Sequence, residues 1–317
     1  MRKALVIGID YYEKVSLLHG CVNDAYSVKQ VLERHSDGTR NFAVAMIAAT
    51  GESSPLSRKQ LREGIVELFK DDSEVALLYY SGHGFIDNFG GYLVTSDCSD
   101  GDDGLSMNEI LKIANDSPAR NRIVVLDACH SGLLGDFDRS VNVATLKEGI
   151  TILTSSSKDQ YSVETNGSGV FTNLFVDALN GSAANLVGHI TPGSVYAHID
   201  QSLGPWQQRP IFKTNVKSFV ALRKTQPPIA LQELHEIIEL FPDKGYQFPL
   251  DPSFEPDSDS PIKGNTQKFA ILQKYNRINL LIPVDAPHMY HAAMESKACK
   301  LTVLGEHYWS LVKNELL

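Results

Sequence analysis

No stretch of about 18 apolar residues occurs anywhere in the chain, so the sequence holds no candidate transmembrane helix. The apolar run behind Met1-Arg2-Lys3 stops at Asp10, too short for a signal-peptide core, and reads better as a first buried strand. Basic residues are outnumbered, 29 against 38 acidic, with a formal charge of −9 and no long basic run. Nucleic acid and anionic membrane are therefore disfavoured as partners. Cysteine is scarce: Cys21, Cys98, Cys129 and Cys299 lie far apart with no CxxC spacing, which argues against a zinc site or a disulfide framework. A reducing, cytoplasmic setting is the expectation, and it suits a thiol that does chemistry.

Two phrases carry that chemistry. Ile123 to Leu126 reads as a buried strand that ends in Asp127-Ala128-Cys129-His130-Ser131-Gly132, which delivers Cys129 to the strand's carboxyl end. Upstream, Val75 to Tyr80 has the same grammar and ends in Ser81-Gly82-His83-Gly84. In an open α/β sheet, ligands bind outside the carboxyl ends of the strands. A thiol and an imidazole delivered there make the nucleophile–base pair of thiol acyl transfer. Alone, each residue reads as structural; together they read as a catalytic pair.

The phrases Tyr-Tyr-Ser-Gly-His-Gly and Asp-Ala-Cys-His-Ser-Gly resemble the caspase-like cysteine proteases, specifically their metacaspase and bacterial branch. Gly8-Ile9-Asp10-Tyr11, Gly20-Cys21-Val22-Asn23-Asp24-Ala25 and Gly169-Val170-Phe171-Thr172 follow in the family's order. The resemblance implies an α/β/α sandwich with a mostly parallel sheet and a cysteine endopeptidase acting on protein substrates. His83 and Cys129 form its dyad without an evident third member, and the N–H groups of Gly84 and Cys129 are the expected oxyanion hole. Asp24, Ser81 and Asp127 stand at the positions of the metacaspase specificity pocket. Two buried carboxylates call for a cation, so cleavage after Arg or Lys is expected. Bacterial relatives are often effectors against phage, and that role is carried over with the resemblance. The alternative is a proteolytically silent adaptor that keeps the fold as a scaffold, and the intact Cys/His pair counts against it.

Along the chain, strands at 4–10, 42–49 and 75–80 alternate with helices, one capped by Asn23-Asp24 and one opened by Ser57. A short strand at 90–95 leads into the acidic loop Ser96 to Gly104. Its carboxylates suit calcium but lack EF-hand spacing. The paired aspartates of calcium-dependent metacaspases are replaced by Ser106-Met107-Asn108-Glu109. A solvated loop, with no cofactor, is the expectation. Residues 131–145 read as a loop over the site, in which the resemblance makes Arg139, with Lys147 just beyond, a candidate for activating cleavage. Strands at 149–155 and 219–222 and helices at 171–179 and 193–203 complete a domain spanning 1–224.

Gln226-Pro227-Pro228 breaks the chain, and 225–317 is expected to be a small, mainly helical domain, winged-helix-like in its closing strand pair. Its helices are placed at 229–241, 265–281, 287–296 and 306–315, with 242–261 read as a loop. With 8 basic and 12 acidic residues it lacks the footprint of a DNA reader. His288 and His291, with Cys299 nearby, could ligate a metal, but no fourth ligand has suitable spacing and a histidine pair of the core or surface is the expectation. Tyr275, Arg277, Tyr290 and Trp309 mix aromatics with a cation and mark a candidate site for a small nucleotide-derived activator. A protein partner bound through the same surface is the rival reading.

Overall fold

A computed structural model describes residues 1–87, 90–128, 146–155, 164–165, 168–203 and 209–317. The described residues divide into two compact units, Met1–Gln226 and Pro227–Leu317.

The first unit opens with β1 (Arg2–Ile9), α1 (Cys21–Glu33), β2 (Ala43–Ala49), α2 (Arg58–Phe69) and β3 (Val75–Ser81). Short strands β4 (Gly84–Ile86), β5 (Gly91–Leu93) and β6 (Leu105–Ser106) form a small antiparallel sheet ahead of α3 (Met107–Asp116). Then come β7 (Asn121–Asp127), β8 (Ile150–Thr154), the two-residue pair β9 (Glu164–Thr165) and β10 (Ser168–Gly169), and α4 (Val170–Asp177). β11 (His189–Ile190), α5 (Pro192–Ser202), β12 (Ile211–Asn215) and β13 (Arg223–Lys224) close the unit. The main sheet runs β12-β8-β7-β3-β1-β2, parallel throughout except for β12.

Period-two alternation sorts the two faces. Ile7, Leu78, Tyr80, Val124 and Leu126 pack toward α2 and α3, whereas Val6, Leu77, Tyr79, Ile123 and Val125 pack toward α1, α4 and α5. By the same alternation Ser81 and Asp127, neighbours in the β3–β7 register, point to the α1/α4 face.

Helix starts follow capping chemistry, although not always from the nearest residue. Ser57 caps α2 in a capping box with Gln60. The helix α1 begins at Cys21, ahead of the expected Asn23-Asp24 cap. Its end is held by Asp10 Oδ1, which accepts from the N–H groups of Cys21 (2.9 Å) and Val22 (3.2 Å). Asp24 thereby lies inside the first turn, and its carboxylate accepts from Ser81 and Gly169 rather than capping the helix. Gly8 lets α1 approach β1, since a Cβ there would run into the Cys21 carbonyl. Asp10→Ala is expected to cost about 1–2 kcal/mol in chemical denaturation, and Asp10→Asn distinctly less, because an amide oxygen still accepts at this helix end.

Residues 219–222 are not a strand. The edge of the main sheet is β12, and Arg223–Lys224 pairs instead with His189–Ile190. Lying antiparallel at the end of the sheet, β12 is half exposed and carries little of the apolar pattern that marks a central strand.

The second unit contains α6 (Leu231–His235), α7 (Ile237–Leu240), β14 (Gln247–Pro249), a 3-10 turn (Pro252–Phe254) and α8 (Lys263–Arg277). β15 (Leu281–Val284), α9 (Met289–Met294), β16 (Ala298–Leu301) and α10 (Val303–Lys313) complete it. The expected helix at 229–241 is two short ones, and the expected loop at 242–261 supplies a strand and buries Leu250 and Phe254. A run of rings, Phe241, Phe248, Phe254 and Phe269, links that segment to α8. The sheet order is β14-β16-β15, antiparallel, with α9 between β15 and β16. A helix thus stands where a winged-helix domain has a hairpin wing.

Candidate active site

The sheet brings the carboxyl ends of β1, β3 and β7 side by side: Gly8 is level with Ser81, and Ser81 with Asp127. His83 follows β3 directly and is half-buried. Its backbone is clamped on both sides. Its N–H donates to the Tyr12 hydroxyl at 2.8 Å, and its carbonyl accepts from the Tyr80 hydroxyl at 2.9 Å. Gly82 is required between them, because a Cβ would sit 2.7 Å from both hydroxyls.

The ring is oriented by a third group that sequence reasoning missed. His83 Nε2 lies 2.8 Å from the Ser16 carbonyl, with the Ser16 hydroxyl at 3.3 Å. A carbonyl only accepts, so this bond puts the proton on Nε2 and leaves Nδ1 of the neutral ring as the acceptor. Tyr12 adds a tilted ring contact at 4.8 Å. Tyr12 and Ser16 carry no local signal, since they lie 71 and 67 residues from the histidine they hold. Tyr12→Phe is expected to lower kcat about tenfold with KM little changed, and to cost about 1–3 kcal/mol for the N–H left unpaired. Steady-state kinetics and denaturation measure the two effects.

Ala128, directly after β7, is the last described residue before 146. Cys129, and with it half of the expected oxyanion hole, lies outside the described residues, as do Arg139 and the rest of 131–145. Gly84, the other half, is opposite Leu93 in the β4–β5 ladder. Val94 N–H bonds the His83 carbonyl beside it, which makes Gly84–Leu93 a non-hydrogen-bonded pair and turns the Gly84 N–H away from β5.

On the α1/α4 face, Asp24, Ser81 and Asp127 come together at 2%, 1% and 6% exposure. The Ser81 hydroxyl donates to Asp24 Oδ2 at 3.3 Å, and Gly169 N–H lies 3.2 Å from both Asp24 oxygens. Thr172 Oγ1 donates to Asp127 Oδ2 at 2.7 Å. Having spent its proton there, Thr172 accepts from the Tyr79 hydroxyl at 2.5 Å. A Cβ on Gly169 would stand 2.5 Å from Asp127 Oδ2 and 3.2 Å from Asp24 Oδ2, so both carboxylates reach the same point. Burial pushes the Cys21 thiol well up, and the nearby Asp127, Asp10 and Asp24 add to this while a hydrogen bond with Ser81 opposes it. Cys21 therefore stays a neutral thiol beside the carboxylates. Gly169 and Thr172 belong to a phrase legible in the sequence, but their bonds to Asp24 and Asp127 were not.

Residues 1–232 match the family model of the caspase domain. The chain belongs to the caspase-domain family. Metacaspase-4 of Arabidopsis thaliana is 27% identical over 164 residues, which cover 46% of this chain and 38% of that protein. Metacaspase-1 of Candida glabrata is 34% identical over 89 residues, 26% of this chain and 22% of that protein. The chain thus spans less than half the length of these curated relatives. Among solved structures, caspase-1 from Spodoptera frugiperda superposes with a TM-score of 0.51 at 14% identity, over 71% of this chain and 91% of that one. Protein GSU0716 from Geobacter sulfurreducens gives 0.52 at 18% identity, over 72% and 98%. At such identities these two likenesses show the caspase fold alone.

Elsewhere, carboxylates of the acidic loop of this caspase domain bond to nearby backbone and hydroxyl groups of the fold. Asp97 accepts from Arg58 N–H at 3.1 Å and from the Thr95 hydroxyl at 2.6 Å, and Asp103 from Ser99 N–H at 2.7 Å. Among the described residues, no group of three or more His, Cys, Asp or Glu is placed to hold a metal, and no helix is long and apolar enough to cross a membrane. The expected ligand platform of the second unit needs correction. Tyr275 is fully buried, with its hydroxyl donating to the Glu233 carbonyl, and Trp309 Nε1 donates to the Phe241 carbonyl at 2.6 Å. Both aromatics are committed to the unit's own packing, while Arg277 and Tyr290 are exposed.

Proposed function

We propose that the chain is a cysteine endopeptidase that cleaves after Arg or Lys, with Cys129 as nucleophile and His83 as base. The observation that carries this reading is the His83 ring, held through Nε2 by the Ser16 carbonyl with Nδ1 left as acceptor. It lies at the end of the strand next to the one that leads into Cys129. His83 Nδ1 takes the thiol proton, and the thiolate adds to the scissile carbonyl. The developing oxyanion is met by the outward N–H of Gly84 together with that of Cys129. As the C–N bond breaks, the imidazolium gives its proton to the departing amine and a thioester remains. A water, deprotonated by His83, then releases the acid and returns the thiol.

Asp24 and Asp127 supply the specificity. Two buried carboxylates reaching one point favour a guanidinium or ammonium group and disfavour an acidic or apolar side chain. A panel of fluorogenic peptides differing only in the residue before the cut is expected to show turnover for Arg and Lys, blocked by prior alkylation with a thiol-directed active-site probe. A preference for Asp or an apolar residue overturns the pocket assignment. Turnover unaffected by the probe overturns the thiol mechanism.

A further inference from the structure

Two carboxylates buried side by side repel, yet Asp24 and Asp127 are both aimed at one point beside Gly169. Two of the groups that hold them there come from a single helix turn. Gly169, the residue ahead of α4, gives its N–H to Asp24. Thr172, in the first turn of α4 and 1% exposed, gives its hydroxyl proton to Asp127 Oδ2 at 2.7 Å. The direction of that proton is set from behind. Tyr79 is fully buried, so its hydroxyl proton needs an acceptor inside the fold, and Thr172 Oγ1 lies 2.5 Å away. A hydroxyl has one proton to give and a carboxylate oxygen only accepts, so the chain of donors runs from Tyr79 through Thr172 to Asp127. Its members lie 93 and 45 residues apart in sequence and meet only where α4 crosses the ends of β3 and β7.

We propose that Thr172, backed by Tyr79, is a specificity-positioning residue, which holds the Asp127 carboxylate in place to receive the cationic side chain ahead of the cut. This rests on the reading of Asp24 and Asp127 as the pocket for that side chain. Thr172 acts through Asp127 and needs no contact with substrate. Without its hydroxyl, repulsion from Asp24 is free to turn the Asp127 carboxylate aside, and a cation must then draw it back on binding. With the hydroxyl, the two oxygens are brought together when the chain folds, and the substrate meets a recess already arranged for it. The methyl branch of Thr172 has no part in this; the role belongs to Oγ1 alone.

Matched peptides with Arg or citrulline before the cut, alike in shape and different in charge, provide the test on the full chain. Thr172→Val keeps the volume of the side chain and removes the hydroxyl. It is expected to raise KM for the Arg peptide about tenfold with a smaller change in kcat, and to lower the Arg-to-citrulline ratio of kcat/KM by about the same factor. Thr172→Ser keeps the hydroxyl, and its ratio is expected to stay within about threefold of wild type. Thr172→Val leaves the Tyr79 hydroxyl without its acceptor, so the double variant Tyr79→Phe/Thr172→Val, which removes that orphan, carries the test should the single variant fail to fold. The same fall in the ratio is expected of it. A ratio unchanged in the folded valine variants overturns the proposal and leaves the pocket reading standing, as does a ratio that falls as far for Thr172→Ser as for Thr172→Val. A wild-type enzyme that does not prefer Arg over citrulline overturns the pocket reading and this proposal with it.

Discussion

Cys129→Ala and His83→Ala are each expected to lower peptidase activity by about a thousandfold or more relative to wild type under identical conditions. The two losses should not add, because nucleophile and base act as one unit: the double variant is expected to be no worse than the more damaged single one. His83 is half-buried at a strand end and its clamp is made by its own backbone N–H and carbonyl, so alanine keeps the bonds to Tyr12 and Tyr80. Unfolding free energy is accordingly expected to stay within about 1 kcal/mol of wild type for His83→Ala. Activity retained in purified Cys129→Ala protein would sink the nucleophile assignment. Lost activity accompanied by lost folding would point to a structural role for His83.

Asp127→Asn is expected to lower kcat/KM for an Arg substrate roughly a hundredfold, the scale of removing one partner of a desolvated charge pair. For a neutral, isosteric side chain before the cut it should change kcat/KM little. Asparagine keeps the size of the side chain and an oxygen to accept from Thr172 Oγ1, now 2.7 Å from Asp127 Oδ2, so the melting temperature is expected to hold. Asp24→Asn should act in the same direction, and Ser81→Ala more weakly, since Ser81 contributes a hydroxyl rather than a charge. Equal losses on charged and neutral substrates would assign Asp127 to the fold of the site rather than to its specificity.

The sequence by itself determined the frame of this protein. Alternating strand and helix periods in 1–80 dictate a parallel sheet, and a parallel sheet puts every following loop on one edge. That is why His83 and Cys129 could be assigned to one site from two phrases 46 positions apart in the numbering. The Pro227-Pro228 break likewise shows in sequence, because proline lacks the N–H that regular structure needs. What tertiary structure alone decided are contacts with no local signature. The Ser16 carbonyl is a backbone group that any residue type supplies, yet it selects the His83 tautomer across 67 residues. Asp10 reads as the end of a strand, and only the approach of α1 over Gly8 makes it that helix's cap while Asp24 bonds Ser81 and Gly169. Tyr275 and Trp309 look like a ligand platform by type, but Tyr275 is buried and both side chains are spent on the carbonyls of Glu233 and Phe241. Residue type and spacing set which local structures form; which buried polar groups satisfy one another depends on the three-dimensional approach of distant segments.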